Sequence, residues 1–267
     1  TQKFAFLQLS RDNSLMTEDI PQSKPPKKGT EGIFLIDKPS GISSHGMVNK
    51  MRGITDIKRV GHTGTLDPLA SGLLIILVGR SFTKLQDSFL KRDKTYTCTA
   101  KLGIETDTYD ITGQETGKST WEKLKVIDST LMEKVLEKFR GEITQTVPPF
   151  SAVKISGQKL YDKAIEKTIE KKDLPKRKVN ISNLILTQLR KDVSTKDVYF
   201  SLETTVSSGT YIRSLVHDIG KELGVGATVT ELRRTKIDNY SVEDAHLIFD
   251  PKTFSFGKQY LASSSRK

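Results

Sequence analysis

The chain has 267 residues, 35% apolar and 28% charged, enough for one large domain or two small ones around an ordinary hydrophobic core. Its 43 Lys and Arg outweigh 32 Asp and Glu by a formal +11, a surplus that suits a polyanionic partner such as nucleic acid or an anionic membrane surface. A single cysteine, Cys98, excludes an internal disulfide and a Cys-rich metal cluster.

Residues 1–30 end in a Pro- and Lys-rich stretch, Pro21 to Gly29, whose composition predicts a disordered polar tail. Ordered structure is expected from Gly32-Ile-Phe-Leu-Ile-Asp37, a short apolar strand that runs into the turn Lys38-Pro-Ser-Gly41. A helical segment and the basic Lys58-Arg59 follow, then a glycine-rich loop from Gly61 to Pro68. Leu73 to Val78 is the longest apolar run. It suits a strand buried on both faces and falls well short of the roughly 20 residues of a membrane helix. With no signal-like apolar segment near the start, a soluble protein of the cytoplasm is expected, with a nucleus or organelle as the alternative.

Thr95 to Leu102 alternates, with Tyr96, Cys98, Ala100 and Leu102 on one side, and predicts a half-buried strand. Thr130-Leu-Met-Glu133 has the form of a capping box, opening a helix with Leu131, Val135, Leu136 and Phe139 as its apolar stripe and stopping at Gly141. Between 154 and 178 lie nine Lys/Arg and four Asp/Glu, a charge run whose default reading is a solvated helix. Val198, Phe200, Leu202, Thr204 and Val206 mark another alternating strand. Ile212, Leu215, Val216, Ile219 and Leu223 then form a helical stripe closed by Gly224. Strands and helices intermix without a βαβ rhythm, so the expected class is α+β with a mixed, mostly antiparallel sheet flanked by helices.

The densest chemistry-bearing segment is Gly61-His-Thr-Gly-Thr-Leu-Asp67-Pro-Leu-Ala-Ser-Gly72. Its glycines permit close backbone approach, and Pro68 keeps Asp67 out of the α region, holding the carboxylate in one pose. Taken alone, an ordinary Asp-Pro turn and a locally packed His62 are the better account of it, since Asp-Pro turns are common. Ser208-Gly-Thr-Tyr-Ile-Arg213 joins a strand to a helix and puts Arg213 in the first helical turn, where a cation is disfavoured unless a carboxylate partners it. His45, His217 and His246 lack metal-ligand spacing, and Glu105, Asp107 and Asp110 do not fit a calcium loop. No P-loop or Gly-x-Gly-x-x-Gly follows a strand. Neither a metal nor a nucleotide cofactor is expected.

Taken together, these segments resemble the TruB family of tRNA pseudouridine synthases. Gly61 to Gly72 is similar to that family's signature loop. Gly32 to Pro39 resembles its opening strand and Lys-Pro turn, and Asp93-Lys-Thr-Tyr96 its tyrosine motif. Leu102 to Asp110 resembles its acidic turn, Pro148 to Lys154 with Gly157 to Tyr161 its RNA-gripping insertion, and Gly209 to Arg213 with Leu232-Arg-Arg234 complete the set. The blocks stand in family order over roughly residues 32–240.

The resemblance implies the pseudouridine synthase fold, with residues 31–250 as the catalytic domain, an RNA-binding insertion near 142–180, and 251–267 as a tail without a C-terminal PUA domain. It implies isomerisation of one uridine to pseudouridine in the T-loop of tRNA, at the family's position 55, by a monomer that needs no cofactor. Asp67 matches the catalytic aspartate, as nucleophile or base. Arg213 matches the arginine that pairs with it, an opposite charge that stabilises an ionised carboxylate. Tyr96 matches the tyrosine that stacks on the flipped uracil, and Tyr211 and Leu232 match further pocket positions. His62 matches the histidine associated with nucleotide flipping, Lys38 the lysine of the Lys-Pro turn, Asp110 a member of the carboxylate–arginine network, and Arg177 an arginine of the insertion. Under this reading, 154–178 is a clamp on phosphates. Two positions depart from the pattern: Ile165 stands where arginine is usual, and Phe150 where tyrosine is frequent. The alternative is a non-catalytic tRNA-binding or tRNA-folding protein on the same scaffold, which has no chemical reason to keep Asp67, Tyr96 and Arg213 together.

Overall fold

A computed structural model describes residues 26–155, 157–166, 168–245, 247–250 and 255–257. The expected N-terminal tail therefore falls outside the described residues for 1–25, as do His246 and most of the expected C-terminal tail. The chain divides into two compact units, one formed by the segments up to Arg92 and from Arg234, the other by Asp93–Arg233. The class is α+β, as the intermixed pattern predicts.

In the first unit, Gly32–Lys38 pairs antiparallel with Ser71–Val78, in a register that sets Phe34 opposite Ile76 and Lys38 opposite Gly72. Val60–His62 pairs with the same long strand, and Leu247–Asp250 lies parallel to Gly32–Lys38. Ser255–Gly257, inside the segment expected as a tail, pairs with Leu247–Asp250. Leu73 to Val78 is fully buried on both faces, as an unbroken apolar run requires. Leu73, Ile75 and Leu77 pack with Leu35, Phe89, Ile237 and Tyr240 in one core cluster. Each such side chain contributes about 1.5–3 kcal/mol on burial. The helix Ser44–Thr55 is capped by the Ser43 side chain, which accepts from Gly46 N. Residues 26–30 are tied down as well, through Gly29 N donating to Thr55 O at 2.7 Å.

In the second unit, Lys94–Leu102 lies between the strand that begins at Ala227 and Asp197–Val206; Lys176–Asp192 and then Gly141–Thr146 follow outward. Both alternating strands are as predicted: Tyr96, Cys98, Ala100 and Leu102 are buried, and so are Val198, Phe200, Leu202, Thr204 and Val206. The helix Ile212–Glu222 buries Ile212, Leu215, Val216 and Ile219, and Gly224 follows at φ +71°.

Two expectations need correction. The helix at Ser129–Glu137 starts two residues earlier than the Thr130 capping box suggests, because the Asp128 side chain accepts from Leu131 N at 2.8 Å. Met132, Val135 and Leu136 are then its buried face, and Leu131 is exposed. The charge run 154–178 is not one solvated helix. It comprises a hairpin (Lys154–Ile155 with Gln158–Lys159), a short helix Leu160–Ile165, a 3-10 turn at Lys171–Asp173, and the first residues of the strand Lys176–Asp192. Gly157 breaks the first part and Pro175 the last, while Leu160 and Leu174 pack with Val147.

Candidate active site

The loop carrying Asp67 is anchored at both sides of the aspartate. Ser44 Oγ donates to Leu66 O at 2.9 Å and accepts from Leu66 N at 2.7 Å. On the other side, Gly41 N donates to Pro68 O at 2.8 Å, so the Lys38–Gly41 turn is latched onto the Asp-Pro turn. Ala70 N donates to Asp67 O at 3.1 Å, closing the turn itself. A carboxylate between two pinned neighbours has little positional freedom left, the kind of preorganisation that catalytic positioning requires.

Lys38 is fully buried, and its ammonium donates to Pro39 O at 2.9 Å and Ile42 O at 2.7 Å. Burial lowers its pKa to about 8; the negative charge of Asp67 opposes that shift and the positive charge of Arg234 adds to it. Lys38 therefore both staples the turn that holds Pro68 and places positive charge within reach of Asp67. His62 ends the strand Val60–His62, and its Nδ1 accepts from Gly64 N at 3.3 Å, so in the neutral ring the proton sits on Nε2. Its pKa is lowered by burial first, then by the charges of Arg234 and His45. The side chain is a neutral imidazole near pH 7.

Arg234, which the sequence reading placed in the Leu232-Arg-Arg234 segment but gave no role, is almost wholly buried. Its Nε donates to Leu73 O at 2.7 Å and its Nη2 to Gly64 O at 3.1 Å, the carbonyls that flank the Asp67 loop. A Cβ on Gly72 would lie 2.2 Å from Arg234 O, so only glycine, here at φ +102°, admits this strand.

In the second unit, Arg213 is buried in the first turn of Ile212–Glu222. Its Nη1 donates to Thr108 O at 2.6 Å and its Nη2 to Phe150 O at 3.0 Å, and Asp110 Oδ2 lies 3.8 Å from Nη1. The carboxylate that a cation needs at a helix N-terminus is thus present. Asp110 is fixed in turn, accepting from Thr112 N at 3.0 Å and from the Thr112 and Thr108 hydroxyls. Between Thr108 and Asp110, Tyr109 adopts φ +64° and its ring stacks on His217 at 3.9 Å.

Tyr211 caps that helix. Its N–H donates to Gln145 Oε1 at 2.8 Å, and Gln145 Nε2 donates to Tyr211 O at 3.0 Å. Gln145 is almost wholly buried and is a residue that the sequence reading missed. Tyr96 and Leu232 are both 8% exposed, on the strands Lys94–Leu102 and Ala227–Ile237. Lys176, Arg177 and Lys178 are exposed where their strand pairs with Gly141–Thr146. Arg177 Nη1 lies 3.6 Å from where a Cβ on Gly209 would stand, which places this cation against the turn leading to Tyr211. Ile165, in the expected arginine position, is 58% exposed, and Phe150 makes an edge contact with Tyr161. Lys38, His62 and Asp67 thus belong to the first unit; Tyr96, Asp110, Arg177, Tyr211, Arg213 and Leu232 belong to the second. Among the described residues, no group of three or more His, Cys, Asp or Glu is placed to hold a metal ion, and no helix is long and apolar enough to cross a membrane.

Comparison with known families gives the class of the chain, a pseudouridylate synthase. Residues 52–212 match the profile of the TruB family pseudouridylate synthase N-terminal domain, and residues 213–250 that of the tRNA pseudouridylate synthase B C-terminal domain. The chain belongs to the TruB family. It is 45% identical to tRNA pseudouridine synthase B of Aquifex aeolicus over 219 residues, covering 80% of this chain and 71% of the relative. To the Chlamydia trachomatis serovar L2 protein of the same name it is 37% identical over 225 residues, covering 83% of this chain and 88% of that one. Among solved structures it resembles a chain of a Cbf5-Nop10-Gar1 complex, with 27% identity and a TM-score of 0.55 over 78% of this chain. It also resembles a chain of an H/ACA ribonucleoprotein bound to a substrate RNA containing 2′-deoxyuridine, with 25% identity and a TM-score of 0.53. The chain spans about half the length of those solved chains, 50% and 48%.

Proposed function

We propose that the protein isomerises uridine to pseudouridine in tRNA, at the T-loop position 55 of its family, acting as a cytoplasmic monomer on the T-arm. The observation that carries this reading is the anchored Asp67 loop inside a chain whose residues 52–212 match the profile of the TruB family pseudouridylate synthase N-terminal domain. The reaction breaks the N1–C1′ bond, turns the uracil and joins C5 to C1′. The C5 proton leaves and N1 gains one, so no oxidant, reductant or added atom is required.

Asp67 is the carboxylate that acts on the nucleotide. Lys38 supplies positive charge toward it and holds its turn. Extruding a nucleotide costs a few kcal/mol of stacking and pairing. The neutral ring of His62 and the aromatic faces of Tyr96 and Tyr211 provide compensating contacts, with Leu232 as an apolar wall. Arg213 is held by Asp110, Thr108 O and Phe150 O and takes part in the same reaction. Residues 31–250 form the catalytic part. The insertion near 142–180 grips RNA phosphates, chiefly through the exposed Lys176, Arg177 and Lys178.

The test is to incubate an unmodified elongator tRNA transcript with the protein and map pseudouridines at nucleotide resolution. Modification confined to the T-loop uridine is expected. Stoichiometric tRNA binding with no pseudouridine at any position would favour a binding or folding protein on this scaffold.

A further inference from the structure

The buried cation at Arg234 has no part in the roles assigned above. A guanidinium taken out of water costs several kcal/mol, and an apolar residue of similar volume often stabilises a core as well or better. Stability alone therefore does not explain an arginine that is 1% exposed. Its contacts do supply a reason. The side-on edge of the fork, Nε and Nη2, donates to Leu73 O at 2.7 Å and Gly64 O at 3.1 Å. These two carbonyls stand at the two ends of the stretch that carries Asp67, so one rigid, planar group closes the loop at its base. The strand carrying Arg234 lies so close that a Cβ on Gly72 would also stand 2.8 Å from Arg234 N. Ser44 and Gly41 fix Leu66 and Pro68 from the opposite side. The loop is thus pinned at Gly64, Leu66, Pro68 and Leu73, and the Arg234 side chain holds two of those points.

Resting on the reading of Asp67 as the reacting carboxylate, we propose that Arg234 is a positioning residue for catalysis: its guanidinium clamps Gly64 O and Leu73 O and so fixes the loop that aims Asp67. The clamp needs two donors in a fixed plane, which lysine, with one nitrogen on a flexible stem, does not offer. The same charge lies close enough to lower the pKa of His62, a sign that it bears on the loop electrostatically as well.

The experiment compares wild type, Arg234→Lys and Arg234→Gln, the last as a planar donor without charge. Steady-state turnover of tRNA is measured along with amide hydrogen exchange of residues 61–73 and thermal unfolding. A misplacement of about 1 Å costs on the order of 100-fold in rate. Arg234→Lys should therefore lose kcat on that order with KM for tRNA unchanged, while exchange rises in 61–73 and the strand Lys94–Leu102 stays protected. Arg234→Gln, which keeps a planar group but reaches one carbonyl at a time, should show the same kcat loss. A folded Arg234→Lys with wild-type kcat would overturn the proposal, and so would a loss of kcat that merely tracks global unfolding. If wild type makes no pseudouridine, the functional reading is what fails. The exchange arm still judges the clamp: unchanged protection of 61–73 in both variants would overturn it.

Discussion

Replacing Gly72 with alanine tests how the active-site loop is joined to the sheet. Gly72 sits at φ +102°, and a side chain held in so sparsely populated a region costs about 1–3 kcal/mol. The larger cost is steric. The new Cβ would stand 2.2 Å from Arg234 O and 2.8 Å from Arg234 N, both backbone atoms. A carbon normally approaches such an oxygen to about 3.3 Å, so the strand must retreat by about 1 Å. That displacement disrupts the Arg234 bond to Leu73 O, and a hydrogen bond to a charged group contributes about 1.5–3 kcal/mol. The sum is about 2.5–6 kcal/mol, a large share of a typical total of about 5–15 kcal/mol. Gly41→Ala is the matched control: its φ is +90°, but nothing lies within 4 Å of its Cβ, so only the backbone strain applies. Urea denaturation of both variants and wild type gives the comparison, with turnover measured under conditions where each is folded. Equal destabilisation by the two substitutions would refute the close-approach argument.

The remaining predictions concern charge and packing. Burial pushes the Asp218 carboxyl from 3.8 up to about 6, with Lys221 opposing. The charged form is therefore the one the fold penalises: the penalty is absent below the unfolded value and complete above about pH 6. Asp218→Asn should accordingly raise the free energy of unfolding at about pH 8 by roughly 1 kcal/mol after allowing for solvent screening, and lose that advantage by about pH 4. A gain of the same size at both pH values would contradict the burial cause. Changing Lys176, Arg177 and Lys178 to glutamate should weaken tRNA binding. It should also flatten the dependence of log K on log salt by roughly 0.7–0.9 per lost phosphate contact. Parallel slopes would show that RNA is gripped elsewhere. Gln145→Leu removes both partners of the Tyr211 backbone and should cost about 1–3 kcal/mol; unchanged stability would show that water replaces the amide.

Much of the fold is legible where one residue period persists. Lys94–Leu102 and Asp197–Val206 keep a strict alternation, and Leu73 to Val78 is apolar throughout, so both kinds of strand are visible in the sequence. The 17-residue strand Lys176–Asp192 is not. Its register shifts between Ile181 and Asn183 and again between Leu186 and Gln188, which breaks the alternation, and it opens on three exposed cations. At Asp128 and Thr130, two sound N-cap signals stand two residues apart, and only packing, with Met132 inward, decides between them.

The candidate site divides the same way. Arg213 is marked locally, because a cation at a helix start calls for a carboxylate, and Asp110 provides it at 3.8 Å. Asp67 by itself is indistinguishable from an ordinary Asp-Pro turn. Its role enters through the ordered set of TruB-like segments, and the structure adds the anchors at Leu66 and Pro68. Arg234 shows only as a member of the Leu232-Arg-Arg234 segment with no role attached, and Gln145 leaves no local mark, since charged and amide side chains in a strand are exposed by default. Their partners lie 161 and 66 residues away along the chain.

The central claim is that the Asp67 carboxylate carries out the isomerisation. Asp67→Asn preserves shape and removes the charge, so the decisive measurement is single-turnover pseudouridine formation on one tRNA by wild type and by this variant, with tRNA binding measured in parallel. The account predicts conversion of the T-loop uridine by wild type, and tRNA binding without detectable pseudouridine by Asp67→Asn. Pseudouridine formed by the folded variant at a rate near that of wild type would contradict it.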